Sequence, residues 1–210
     1  KISEYTCETL RRLTDKKIAY TVATGRTLHS AQNLIEGRGF CLPHIYSNGA
    51  IIWNPLVDSF SLESFLTPGE SEHVIRAALD QNITPFILTV KNGEHFVFHS
   101  SVRNDIENKL LQEFCSRPNA HVLPMSELPV DAEITNISML GEGEALNAVK
   151  VNIGTEPHIV VYSGPAFEGA GLHWMDVHHS SASKGGAINV LKSQFGFKKM
   201  MKGKDIAIHG

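Results

Sequence analysis

The sequence predicts an α/β fold with a parallel sheet, into which a separate α+β unit is inserted. Helical and strand patterns alternate over residues 1–53, hairpin signals replace this alternation in the middle of the chain, and a helix followed by a strand returns at the end. We therefore expect residues 1–65 and 180–210 to form one α/β domain and residues 66–179 to form the inserted domain.

The opening segment has the order helix, strand, helix, strand. Ser3 can cap a first helix that ends near residue 16, and the apolar run 18–23 is typical of a strand buried on both faces. Thr27 can cap a second helix, which glycines end near residue 37. Residues 44–53 then predict a strand, an Asn-Gly turn and a second strand. This order implies parallel strands joined by helical crossovers.

The middle of the chain has hairpin signals, and its last part returns to a helix and a strand. An Asn-Gly pair lies between two β-rich runs within residues 85–100, which is a strong hairpin signal. The predicted elements are a helix over 68–81, the hairpin over 85–100, a helix over 102–115, a strand over 132–140, a helix over 142–151, a strand pair at 158–163 and 172–177, a helix over 184–194 and a strand over 205–210.

Composition limits the function classes. The 210 residues are 42% hydrophobic and 20% charged, and the net charge of -3 argues against a general nucleic-acid surface. No apolar run is long enough to span a membrane, so no membrane partner is expected. Cys7, Cys41 and Cys115 are odd in number and far apart, which fits neither a disulfide framework nor a zinc site and favours a reducing cytoplasm.

The first candidate for a binding site is Thr24-Gly25-Arg26, directly after the predicted strand 18–23. A hydroxyl and the backbone N–H groups at a helix start can bind a phosphoryl oxygen. The alternative is a helix cap followed by a surface arginine. Such tripeptides are common, so this stretch alone favours the alternative.

The second candidate is Ser183-Lys184, at the start of the helix predicted over 184–194. Ser183 can cap this helix, which places Lys184 at its first position. A lysine there opposes the helix dipole by roughly a few tenths of a kcal/mol to 1 kcal/mol. A bound anion would offset this cost, whereas the alternative is a solvated surface lysine.

Other conspicuous residues have stronger structural interpretations. Asn48-Gly49 is what a tight hairpin turn requires, so Asn48 is a weak ligand candidate. Trp53 and Trp174 are expected in the core rather than as platforms for a substrate.

The order of these motifs is more specific than any one of them. "VATGRT" (22–27), "YSNGA" (46–50), an inserted α+β unit, "SKGGAINVL" (183–191) and "DIAIHG" (205–210) occur in that order. The chain resembles the haloacid dehalogenase (HAD) superfamily, and within it the Cof-type phosphatases with a type IIB cap. The resemblance covers almost the whole chain and implies a Rossmann-like parallel-sheet core with an inserted cap domain over 66–179.

Two parts of the family pattern do not occur in these residues. The family's Asp-x-Asp-Gly-Thr loop, with the nucleophile and the general acid/base, would precede the first helix. Its acidic metal ligands would follow Gly210. We therefore expect the chain to be an incomplete portion of a longer protein, inactive on its own. The alternative is a degenerate relative that folds without the central strand of the sheet.

The resemblance implies a mechanism and roles for residues of this chain. A small phosphorylated metabolite, such as a sugar phosphate, nucleotide or phosphorylated cofactor, would be hydrolysed through an aspartyl-phosphate with Mg²⁺ as cofactor. Thr24 would donate to a phosphoryl oxygen, Gly25 would let the backbone approach the phosphate, and Lys184 would neutralise developing charge. Arg26 and Asn48 are weaker candidates for substrate contacts. No metal ligand is assigned within the chain.

Two alternatives to a phosphatase stay open. One is a phosphotransferase or mutase on the same scaffold, and the other is a non-catalytic protein that binds or senses a phosphorylated metabolite. The sequence does not predict the substrate or the oligomeric state.

Overall fold

The computed structural model describes residues 2–27, 31, 34–35, 37–57, 59–91, 94–116, 120–166, 169 and 171–197. The chain divides into two compact units. The terminal unit comprises Lys1–Ser64 and Ser181–Gly210, and the central unit comprises Phe65–Ser180.

Helices and strands alternate irregularly along the described residues. They are α1 Glu4–Asp15, β1 His44–Tyr46, β2 Ile51–Asn54, β3 Ser59–Glu63, α2 Pro68–Asp80, β4 Phe86–Lys91, β5 Glu94–His99, α3 Asp105–Cys115, β6 Ala120–Pro124, β7 Ile134–Glu142, α4 Gly143–Ile153, β8 Ile159–Pro165, β9 Leu172–His179 and α5 Lys184–Gln194.

The terminal unit contains a three-stranded antiparallel sheet in the order β1-β2-β3. The predicted hairpin of β1 and β2 is confirmed, with a 3₁₀ turn over Ser47–Gly49 between the strands. Helix α5 packs on these strands through Ala187 and Leu191, which contact Ile45 and Ile52 in a buried apolar cluster. This packing fixes the start of α5 relative to the turn between β1 and β2.

The strand predicted over 18–23 is wrong in extent and in burial. The segment forms one isolated parallel bridge, Ala23 with Ile45, supported by hydrogen bonds of Ile45 N–H to Val22 O and Thr24 N–H to Ile45 O, both 2.9 Å. Ile18 is 49% exposed rather than buried. The physical reason is that, in the described chain, this segment pairs only with β1 and only near its end. The parallel direction agrees with the predicted crossover.

The predicted helix starts are confirmed where local side chains cap them. Ser3 accepts from the N–H of Thr6 at the start of α1. At α2, Thr67 and Glu70 form a capping box and Pro68 occupies the first turn, where its missing N–H costs nothing.

The central unit contains a six-stranded sheet in the order β6-β5-β4-β7-β9-β8. The predicted hairpin of β4 and β5 and the predicted pair β8 and β9 are confirmed, and both are antiparallel. β6 was not predicted; it pairs parallel with β5 at the sheet edge. β3 of the terminal unit was also missed.

Helices cover the two faces of this sheet unequally. α2 and α4 cover one face, where Val74 and Val149 pack against Ile137 and Val177 with no exposed surface. α3 covers the other face over β4 and β5, where Phe114 contacts Phe86 in the second apolar cluster. The part of that face formed by β7, β9 and β8 carries polar side chains instead.

Some predictions fall on residues that the structure does not describe. They include the strand predicted over 205–210, most of the helix predicted over 28–36 and the Asn92-Gly93 turn. Within the described part of the chain, no helix combines the length and the apolar character that a membrane crossing needs.

A buried carboxylate connects two loops at the start of α3. Glu107 is 1% exposed and accepts three hydrogen bonds, from Thr84 N–H at 2.9 Å, the Thr84 hydroxyl at 2.7 Å and Arg103 N–H at 2.7 Å. It therefore ties the loop before β4 to the loop before α3.

We predict that Glu107→Ala lowers the free energy of unfolding by about 3 kcal/mol, because it leaves these buried donors without an acceptor. Glu113→Ala, on an exposed position of the same helix, is the control and should change stability by about 0.5 kcal/mol or less. Urea denaturation of both variants measures this, and equal losses in the two variants would contradict the role of Glu107.

His73 gives the central unit a pH-dependent contact. Its ring nitrogens lie 2.9 Å from Asn152 Oδ1 and 2.7 Å from Glu156 Oε1. The hydrogen bond to Asn152, followed by that to Glu156, raises the pKa of His73 above its ordinary value of 6.5. Both acceptors favour the imidazolium, which can donate from both nitrogens.

We predict that this contact stabilises the fold fully below about pH 6.5 and less as the pH rises through the pKa of His73 in the folded state. His73→Gln should therefore destabilise the chain at pH 5 more than at pH 9. Thermal melts at the two pH values measure the difference, and a loss independent of pH would contradict the prediction.

Candidate anion site of the terminal unit

Thr24 lies where the segment paired with β1 ends. Its side chain is 6% exposed, and its Oγ1 accepts from Arg26 N–H at 3.1 Å. Asn48 N–H donates to Thr24 O at 3.1 Å. Among the described residues the Thr24 hydroxyl donates to no acceptor.

Gly25 and Asn48 are in direct contact. A Cβ added to Gly25 would lie 2.9 Å from Asn48 Oδ1 and 3.3 Å from its Nδ2. A larger residue at position 25 would therefore displace the Asn48 amide. The expected approach of Gly25 to a phosphate stays a prediction; among the described residues, the group next to Gly25 is the Asn48 side chain.

The turn between β1 and β2 has an unusual backbone. Ser47, Asn48 and Gly49 have φ values of 47°, 56° and 110°, all in the left-handed region. Two of these residues have side chains, so their conformation carries strain. Ser47 N–H donates to Arg26 O at 2.9 Å, which holds the turn against the loop 24–26.

Two buried polar atoms at this junction have no partner among the described residues, Ser47 Oγ and Arg26 Nε. Ser47 is 1% exposed. A buried polar atom without a partner costs about 1–3 kcal/mol, more when it is charged. Sequence analysis did not select Ser47, because its position was interpreted only as part of a hairpin turn.

The turn also touches the start of α5. A Cβ added to Gly49 would lie 2.3 Å from Ser183 O and 2.8 Å from Ser183 N, so only glycine fits. Ser183 is the N-cap of α5 and accepts from Gly186 N–H at 3.0 Å, as predicted.

Lys184 occupies the first position of α5, as predicted, and it is exposed. The first turn of this helix has no acidic residue. Lys184 makes no ion pair with any residue that the structure describes. A cation thus lies beside the positive end of a helix dipole, with no counter-charge among the residues that the structure describes.

The structure therefore brings the sequence-selected segments together around one turn. Gly25 contacts Asn48, and Gly49 contacts Ser183, the residue before Lys184. Thr24 contacts this turn directly, through the hydrogen bond from Asn48 N–H to Thr24 O, whereas Lys184 follows the contacting residue Ser183. The arrangement collects a hydroxyl, a guanidinium, an ammonium and a helix N-terminus, which are all groups that favour an anion.

The neighbouring strand β1 contributes a neutral, buried pair. His44 Nδ1 lies 3.0 Å from the Tyr46 hydroxyl, and the two side chains are 6% and 1% exposed. Burial lowers the pKa of His44 to about 4 and raises the pKa of Tyr46. Both are uncharged near neutral pH, so the charge at this junction comes from Arg26 and Lys184.

The described residues do not form a metal site. No group of three or more His, Cys, Asp or Glu side chains among them is placed to hold a metal ion. The donors around the turn of residues 47–49 suit an anion rather than a cation.

A family model supplies the identity of the fold. The model of the haloacid dehalogenase-like hydrolases matches residues 1–201. The chain belongs to this family. The predicted membership of the HAD superfamily is thereby confirmed. No curated protein matches the chain significantly.

Solved structures of HAD proteins are similar to this one. A subclass IIB sugar phosphatase of the superfamily matches with a TM-score of 0.70 and 18% identity over 94% of this chain and 70% of its own. A HAD phosphatase from Bacteroides thetaiotaomicron matches with a TM-score of 0.70 and 17% identity over 94% and 67%. A protein from Thermotoga maritima matches with a TM-score of 0.67 and 20% identity over 95% and 70%. The predicted fold class, a HAD α/β fold with Rossmann-like core, is confirmed.

We predict that Gly49→Ala lowers the free energy of unfolding by about 3 kcal/mol or more, because the new Cβ meets the Ser183 backbone and the backbone at φ 110° is strained for alanine. Gly37→Ala is the matched control, since Gly37 has φ 71° but no described atom within 4 Å of the added Cβ. It should cost only about 1–2 kcal/mol.

Denaturant unfolding of the two variants separates the steric contact from the backbone term. If both variants lose the same stability, the contact between the turn and α5 is not tight.

Proposed function

We propose that this HAD family member is a magnesium-dependent phosphatase that hydrolyses a small phosphorylated metabolite. A sugar phosphate, a nucleotide or a phosphorylated cofactor would each supply the required phosphomonoester. The observation that carries the proposal is the junction of three segments, the loop 24–26, the turn 47–49 and the start of α5, whose groups favour an anion. A structurally similar protein is a sugar phosphatase, which agrees with this substrate class.

Thr24 and Lys184 are the residues that we propose to act on the phosphoryl group. The Thr24 hydroxyl would donate to a non-bridging oxygen, since its oxygen already accepts from Arg26 N–H. The Lys184 ammonium would neutralise the charge that develops as the phosphoryl group transfers. Gly25 would place its backbone N–H near the phosphate, and Arg26 and Asn48 are weaker candidates for contacts with the rest of the substrate.

The covalent step would use an aspartate nucleophile that lies outside the printed chain. Its carboxylate would attack phosphorus, the P–O bond to the alcohol would break, and a second acid would give that alcohol its proton. Water would then cleave the aspartyl-phosphate and release inorganic phosphate. The printed chain alone would therefore be inactive.

We propose magnesium only because the chain belongs to this family. The described residues offer no set of three potential ligands, so we assign no ligand and route no step through the ion. We expect the full-length protein to hydrolyse an aryl phosphate only in the presence of magnesium, and turnover without the metal would rule out this chemistry.

The central unit would act as the type IIB cap, selecting the leaving group, with residues 1–65 and 180–210 as the catalytic domain. We place the protein in the cytoplasm, because its cysteines are not paired in disulfides among the described residues. Nucleic acid and membranes are not proposed as partners.

A phosphotransferase or mutase, and a non-catalytic binding protein, remain the alternative functions. Product analysis with and without an acceptor alcohol distinguishes transfer from hydrolysis. A protein that binds phosphate but turns over no phosphomonoester would be the non-catalytic alternative.

We predict that Lys184→Ala in the full-length protein lowers kcat by about a hundredfold or more, or about 3 kcal/mol, because a cation aimed at the phosphoryl group is lost. Its melting temperature should stay unchanged or rise slightly, since Lys184 opposes the helix dipole. Thr24→Val should lower kcat more mildly, and the double variant should show less than the sum of the two effects.

Lys192→Ala is the matched control, because Lys192 lies in the last turn of the same helix, where its charge suits the dipole. It should leave kcat unchanged. Near-normal kcat in Lys184→Ala with an intact melt would make Lys184 a surface residue and refute its proposed role.

A further inference from the structure

A row of polar side chains crosses the central sheet on the face opposite α2 and α4. Ser138 on β7 pairs with Asp176 on β9, which pairs with Tyr162 on β8. His178 lies two residues after Asp176 and therefore on the same face. Their neighbours Ile137 and Val177 point to the apolar face covered by α2 and α4.

Hydrogen bonds along this face run in one direction and end on one carboxylate. The Thr135 hydroxyl donates to Asn136 Oδ1 at 3.2 Å, Asn136 Nδ2 donates to Ser138 Oγ at 3.0 Å, and the Ser138 hydroxyl donates to Asp176 Oδ1. Asn136 is 5% exposed, so its side chain and its hydrogen bonds are shielded from solvent. Asp176 itself is partly exposed, and its Oδ2 has no donor among the described residues.

The carboxylate also lacks a cation. No lysine or arginine nitrogen of the described residues lies within 4.0 Å of Asp176. Burial lowers the pKa of His178 below its ordinary value of 6.5, although the attraction of Asp176 and a hydrogen bond with the Thr135 backbone oppose this shift. His178 is therefore mainly neutral near pH 7. Burial raises the pKa of Asp176, which expresses the cost of its uncompensated charge.

Aromatic side chains flank Asp176. Trp174 precedes Asp176 by two residues on the same face, at a distance of about 6.6 Å along the strand. Its indole lies against Gly164, where an added Cβ would be 3.2 Å from the ring, and it is 39% exposed. The expectation that Trp174 belongs to the core is therefore wrong. Tyr162 flanks Asp176 on the other strand and packs edge-on against His178 at 5.6 Å between ring centroids.

We propose that this face of the central unit binds a small organic ammonium, with Asp176 as the counter-ion and Trp174 and Tyr162 as the aromatic walls. An ammonium supplies both the donor that Oδ2 lacks and the positive charge that the site lacks. Its alkyl groups and charge also suit the face of an exposed tryptophan. A neutral polyol would supply a donor but would leave the charge uncompensated.

The inference does not depend on the proposed phosphate site, because Asp176, Trp174 and Tyr162 lie in the central unit and the phosphate-site residues lie in the terminal unit. Failure of the phosphate site would leave it unaffected. It assigns to this sheet face a ligand of opposite charge to the one proposed for the terminal unit.

The test compares two ligands of nearly equal shape, cyclohexylamine and cyclohexanol, at pH 7. Binding to the whole chain is followed by NMR through the indole N–H signals of Trp174 and Trp53, assigned with a Trp174→Phe variant. We expect the amine to shift the Trp174 signal and to bind at least about tenfold more tightly than the alcohol, as a charged hydrogen bond predicts.

Asp176→Asn keeps the shape and removes the charge, and it should weaken amine binding at least about tenfold. Asp131→Asn, at an exposed carboxylate of the same unit, is the control and should change nothing. Thermal melts establish that both variants fold; if Asp176→Asn does not fold, the comparison of amine with alcohol decides alone. Equal binding of amine and alcohol, tighter binding of glucose than of the amine, or no shift of the Trp174 signal would each overturn the proposal.

Discussion

The close approach of Gly49 to Ser183 is the constraint on which the terminal unit depends. A Cβ on Gly49 would lie within 2.3 Å of a backbone oxygen, so the turn touches the start of α5 backbone to backbone. The same turn receives the loop 24–26 through Ser47 N–H and Asn48 N–H. One glycine with a left-handed backbone thus fixes two segments that are far apart in sequence.

This junction contains polar and charged groups that have no partner among the described residues. Ser47 Oγ and Arg26 Nε are buried without a described partner, and Lys184 has no described counter-charge. Each of these is unfavourable in isolation. A single anion accepts from hydroxyl and cationic donors together, so one ligand would relieve several costs. An anion is therefore inferred from these groups taken together and not from any one residue.

Local signals were predicted from the sequence and long-range pairing was not. The caps Ser3 and Ser183 depend on residues within one helical turn, so their patterns are visible in the chain itself. β6 pairs with β5 in parallel across α3, and the segment 18–23 reaches β1 only at its end. No local pattern encodes those partners. For the site, the segments and their order were predicted, whereas the contacts among them and the burial of Ser47 depend on residues that are far apart in the chain.

The exposure of Trp174 also could not be predicted from the local sequence. Its sequence neighbours place it on a strand of mostly buried residues, which favours a core position. The decisive feature is Gly164 on the paired strand, which has no side chain and therefore lets the indole lie against the backbone with one face partly exposed. That exposure beside Asp176 creates an acceptor surface for a cation, whereas the terminal unit presents donors for an anion.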